Sequence, residues 1–176
     1  MKYVFLFGSL LMSVLANAQN ERIKGFQYIQ EKKYAEAEKS FQSFLEKNPM
    51  DGPSLTYLGV AQANLAKYTD AIQTLQKTFQ LDLVTHFLNE PRIQLARCYA
   101  ALGQKELAYK YLQELVKYGG PGFIIRQEAT KEFDGLRNEE KFKDLLITAN
   151  QKLTPCMYDS NARRLDFFLG VWDVYT

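Results

Sequence analysis

Residues 57–71 read Tyr-Leu-Gly-Val-Ala-Gln-Ala-Asn-Leu-Ala-Lys-Tyr-Thr-Asp-Ala, and they hold Gly59 and Ala71 twelve positions apart in a stretch of helical apolar spacing. The same pair of small residues recurs upstream as Gly25 and Ala37 and downstream as Ala96 and Ala108. From Gly25 to Gly59 the step is 34 residues, and from Gly59 to Ala96 it is 37. A period of this length marks stacked helical repeats, because one helix pair cannot hide its apolar face and needs a neighbour to cover it. Two helices approach closely only where bulk is missing. Gly25, Gly59 and Ala96 are therefore expected to face Ala37, Ala71 and Ala108. Leu58, Leu65, Ile72, Leu75 and Phe79 fill the flanks in the central unit.

Local signals divide the chain accordingly. Thr69, Asn89 and Asn138 each precede an acidic residue and are expected to serve as N-caps. Pro49, Gly103 and Gly119 mark helix stops. The expected fold is an all-α solenoid of three helix pairs at residues 18–51, 52–85 and 89–122, preceded by a leader at 1–18. Residues 123–152 form capping helices, with Phe133, Leu136, Phe142, Leu145 and Leu146 spaced as one buried face. Residues His86 to Leu88 are an insertion between the second and third units.

The recurring positions within each unit carry a resemblance to the tetratricopeptide repeat family. The first unit has Gly25, Tyr28, Tyr34, Ala37, Phe41 and Pro49. The second has Leu58, Gly59, Tyr68, Ala71 and Leu75, and the third has Leu95, Ala96, Tyr99, Ala108 and Leu112. The third unit departs from the family pattern at Arg92, Lys105 and Gly120. The resemblance implies a concave surface built from first helices. Carried over by position, it would expose Arg22, Phe26 and Ile29, then Thr56, Val60 and Asn64, then Ile93 and Arg97. Such a mixture of apolar side chains and arginines suits an extended or helical segment of a protein partner. Phe26 stands where the carboxylate-clamp members of the family have Asn, so binding of chaperone carboxyl tails is not implied.

Composition narrows the function further. The chain has 176 residues, 22 Lys plus Arg against 20 Asp plus Glu, and a formal charge of +2, which gives no electrostatic footprint for nucleic acid. One histidine, His86, and two cysteines leave no ligand set for a structural zinc. His86 reads as a solvated loop residue, and Cys98 as a buried thiol packing like a small apolar side chain. A disulfide between Cys98 and Cys156 is permitted by an oxidising compartment and is not established by spacing. No activated nucleophile or paired acid and base is present, so no catalytic residue and no cofactor is expected.

The two ends of the chain carry separate expectations. Lys2, the apolar run Val4 to Leu15 and the small-x-small triplet Ala16-Asn17-Ala18 read as a secretory signal peptide cut after Ala18. The product is periplasmic or secreted, and the run is too short to remain as a membrane-spanning helix. Residues 153–164 read as a linker, and Leu165 to Thr176 (LDFFLGVWDVYT) as strand. Asp166, Phe167, Gly170, Trp172 and Asp173 resemble the opening of small lipocalin-like β-barrel domains. Two alternatives stay open there, a barrel begun and not completed, or a short tail packed on the last helices. The expected function is that of an exported, non-enzymatic protein-binding or peptide-binding module. The alternative is a carrier of an apolar small molecule or lipid in that barrel.

Overall fold

The structure is a computed structural model that describes residues 20–81 and 83–154. The leader, residues 165–176 and Cys156 lie outside the described residues, as does the side chain of His86. Helix α1 (residues 20–30) pairs with α2 (Tyr34–Leu45), α3 (Gly52–Asn64) with α4 (Tyr68–Thr78), and α5 (Asn89–Ala101) with α6 (Lys105–Lys117). Two further helices follow, α7 (Pro121–Gln127) and α8 (Glu140–Leu153). Short 3-10 turns lie at Thr85–Leu88 and Lys131–Phe133. No strand occurs among the described residues. Each pair packs on the next, α3 against α2 and α5 against α4, so the molecule is an all-helical solenoid.

The repeat is written into the backbone as well as the side chains. At the turn inside each pair, Lys32, Ala66 and Gly103 take positive φ of 57, 59 and 71°. The hydrogen bonds around them are the same three times over. Lys33 N–H donates to the Tyr28 carbonyl, Lys67 N–H to Gln62 and Gln104 N–H to Tyr99, each reaching five residues back. This is a Schellman closure, which satisfies the last carbonyls of a helix through one left-handed residue. Only the third unit uses the residue best suited to that conformation. Lys32 and Ala66 carry a Cβ into it at a cost of order 1 kcal/mol each.

Close approach within a pair depends on the glycines, and the side chains nearest them stand one turn beyond the alanines. A Cβ on Gly25 would come 2.7 Å from the Phe41 ring, and one on Gly59 would overlap Leu75. Phe41 and Leu75 stand four residues beyond Ala37 and Ala71. The alanines are fully buried, but the side chains nearest the glycines are the large ones. Gly25 and Gly59 thus make room for bulk.

The three expected N-caps are displaced. Thr69 is the second residue of α4, whose N-cap is Lys67; Asn89 is the first residue of α5, after Leu88; Glu139 rather than Asn138 precedes α8. None of these caps makes a side-chain bond to the helix. The Schellman turn before α4 and the 3-10 turn running into α5 already set where those helices begin. Asp51 does cap, its carboxylate accepting from Ser54 N–H at 3.0 Å.

The core falls in two parts. Around α1 to α3, Phe26 lies between Phe41 and Tyr57, edge-on to both at 5.2 and 5.1 Å. A larger cluster runs from Ala71 and Leu75 through Leu95, Leu112 and Leu115 to Phe133, Leu136 and Phe142 of the capping region. The capping chain is not one continuous helical block. Between α7 and α8 it passes through the Lys131–Phe133 turn, which packs against α5.

Candidate functional site

That turn reaches one of the expected groove residues, Arg97. Ile93 is fully buried, and Arg97 is nearly so. Arg97 donates to Gln94 Oε1 at 2.8 Å and pairs with Glu132 at 3.3 Å, both side chains of the ion pair under a tenth exposed. The two third-repeat positions expected in a groove are therefore occupied by the chain itself. Position within a repeat could not reveal the pairing of Arg97, because Glu132 stands 35 positions downstream, outside the repeating unit.

The Glu132 carboxyl is subject to opposing influences. Burial alone would raise its pKa, but a backbone N–H bond and the Arg97 guanidinium outweigh this and hold it below the ordinary carboxylate value. Next to it, burial pushes the Cys98 thiol up to about 12, so this cysteine stays protonated and unreactive, as a structural residue does.

The other six expected residues divide between packing and surface. Arg22 pairs with Asp51 at 3.3 Å and lies over the Phe26 ring at 5.4 Å, while Phe26 itself forms the seam between the first two pairs. Ile29 packs against the same cluster, half-buried. Asn64 is exposed and donates to the Val60 carbonyl at 2.8 Å, and Val60 is buried. Thr56 is held by a bond from its hydroxyl to the Gly52 carbonyl, 3.0 Å long. Of the eight, Thr56 is the one that lines a well-formed cavity.

This cavity measures about 450 Å³ and is bounded by Gly52, Pro53, Thr56, Tyr57, Leu83, Phe87, Glu90 and Phe123. Its floor is the first turns of α3. One wall is the segment between the second and third repeats, supplying Leu83 and the 60% exposed Phe87. The facing wall is Phe123 of α7. Gly52 lets the walls meet, because a Cβ there would sit 3.1 Å from Leu83. Its size and its aromatic, aliphatic lining suit an apolar side chain or small apolar group. The lengthened spacing before the third unit was the sequence signal for this wall. Phe123, just past a helix stop, gave no signal of its own.

The comparisons with known proteins agree with this architecture. A tetratricopeptide repeat family description matches residues 93–118. The TPR2B domain of yeast Sti1, in a pHsp70 complex, is 18% identical; the alignment covers 77% of this chain and 97% of that one, with a TM-score of 0.51. The translocator chaperone SycD of Yersinia enterocolitica type III secretion is 19% identical, covering 77% and 93%, with a TM-score of 0.52. The fold is a tetratricopeptide-type solenoid. At these identities the likeness is one of fold. No curated protein matches the chain.

Among the described residues no cluster of His, Cys, Asp and Glu is placed to hold a metal ion. Among them, too, no helix is long and apolar enough to cross a membrane.

Proposed function

We propose that this chain is an exported, non-enzymatic interaction module that holds an apolar anchor of a protein or peptide partner between its second and third repeats. The observation that carries the reading is the cavity itself, where Thr56 of the first-helix face meets three aromatic side chains, Tyr57, Phe87 and Phe123. Both solved relatives in fold are named for protein partners, a pHsp70 complex and a translocator chaperone, which supports the class of ligand and not its identity.

The test is a screen of the full chain against an array of peptides bearing single Leu, Phe or Trp anchors, followed by titration of the retained peptides by fluorescence anisotropy. Phe87→Asp places a charge on the exposed wall and is expected to weaken binding about tenfold, equivalent to about 1.4 kcal/mol, with unchanged circular dichroism. Equal affinity for the variant would overturn the site. Export has its own check. Sequencing the amino terminus of the protein from the extracytoplasmic fraction should begin at Gln19, and a chain retaining residues 1–18 there would refute the signal-peptide reading.

A further inference from the structure

A second cavity, about 510 Å³, adjoins the first and shares Phe123 with it. Its lining is Val116, Phe123 and Leu153, the backbone-rich stretch from Gly119 to Gly122, and three cations: Lys117, Arg126 and Lys152. Each cation comes from the last turn of a different helix, α6, α7 and α8. A cation in that position offsets the helix macrodipole wherever around the turn it stands. That need does not account for all three facing one depression.

Their contacts leave charge to spare. Lys117 Nζ lies over the Tyr118 ring at 5.0 Å, and the Arg126 guanidinium lies over Phe123 at 4.5 Å. Lys152 donates to the Val116 carbonyl at 2.8 Å. None of the three has a carboxylate partner among the described residues, whereas Arg22, Arg92, Arg97, Lys105 and Lys141 all do. The first cavity has the opposite polarity, its one charged lining residue being Glu90, which accepts from Gln94 Nε2 at 2.8 Å. A segment seated across Phe123 therefore meets an acid at one end and three cations at the other.

We infer that the bound segment is an acidic peptide, with its apolar anchor in the cavity beside Glu90 and its carboxylates beyond Phe123, on Lys117, Arg126 and Lys152. The inference rests on the proposed interaction function and adds the partner's charge and orientation. Arg126 is the hinge of the arrangement, since its guanidinium presents paired donors to a carboxylate while its position over Phe123 ties it to the anchor site. Glu90 enforces direction, because a peptide entered the other way would bring like charges together.

The experiment compares two labelled peptides on the full chain, one with a Phe or Leu anchor followed by Asp-Glu-Asp, the other with Asn-Gln-Asn in those places. The acidic peptide is expected to bind at least tenfold more tightly at low salt and to lose that advantage at high salt. Lys117→Glu with Arg126→Glu, both exposed positions, should abolish the difference between the two peptides, read as a ratio of affinities so that loss of the Arg126 contact with Phe123 affects both alike. Lys152→Glu, tested separately, should reduce the difference without abolishing it. Equal binding of the two peptides, or an acidic peptide indifferent to charge reversal, overturns this inference and leaves the anchor site standing. If neither peptide binds, both readings fall together.

Discussion

The first helix of the opening pair and that of the third pair occupy equivalent places and end up in different environments. In α1, Arg22, Phe26 and Ile29 stay half-buried. In α5, every residue from Pro91 to Tyr99 is buried, with α3, α4, α6, α7 and the capping turn all packed against the helix and Glu132 taking up Arg97. The same repeat chemistry therefore yields a partly open surface at one end and a filled one at the other. What a repeat can offer to a partner depends on the chain that follows it as much as on its own residues.

The sharpest way to break this contrast is at the two arginines. Arg97→Ala leaves the Glu132 carboxylate buried without its partner and is expected to cost about 3 kcal/mol. Arg22→Ala at the open end removes a partly exposed pair with Asp51 and should cost under about 1 kcal/mol. Urea denaturation of the two variants side by side measures the difference, and equal losses would show that the cap does not depend on the ion pair.

A smaller effect is expected where both ends share one device. Gly59→Leu drives a side chain into Leu75 and should cost ~1 to 3 kcal/mol; an unchanged urea midpoint would contradict the pairing of α3 with α4. At the intra-pair turns, Gly103→Ala has open space around the new Cβ, so the cost of about 1 kcal/mol is purely that of the left-handed backbone. Ala66→Gly should move thermal stability the other way, by a smaller amount because glycine also frees the unfolded chain. Shifts of the same sign in both variants would mean that the turns are not equivalent.

The finest test is pH. Glu132 has a folded pKa below its ordinary value near 4.5, so the unfolded chain takes up the proton first as the solution is acidified. Its contribution to stability is complete above that ordinary value and is lost as the pH falls through the folded one. Glu132→Gln should flatten this part of the stability profile, measured by urea midpoints between pH 7 and pH 3. An identical profile in the variant would show that acid acts elsewhere.

Much of this was legible in the amino-acid order, and the misses have identifiable causes. Helix pairing followed from the recurring small residues, since periodicity records which face each helix must bury. The atoms nearest Gly25 and Gly59 belong to Phe41 and Leu75, one turn beyond the alanines at the repeat spacing. Spacing marks where bulk is absent, while the side chain that enters the space is chosen by helix offset and crossing. The expected caps failed because Thr69, Asn89 and Asn138 were judged by their immediate neighbours, whereas the preceding turns set the helix starts. Asp51 caps without an acid after it: Gly52 and Pro53 follow, so the pattern shared by Thr69, Asn89 and Asn138 does not mark it.

The candidate site divides along the same line. Of the eight residues assigned to a groove by position, Thr56 reaches the apolar cavity, where Leu83 and Phe87 from the segment between α4 and α5, Glu90 from the first turn of α5 and Phe123 from α7 join it. By itself the order of amino acids determined that this chain stacks helix pairs, because burial at a 34-residue period is a local, repeating demand that every unit meets in the same way. Only the tertiary structure decided which part of the stacked surface stays open and where charge gathers. Those properties arise when distant, non-repeating segments such as the Lys131–Phe133 turn and the ends of α6, α7 and α8 come to lie against the repeats, and no periodic pattern encodes such encounters.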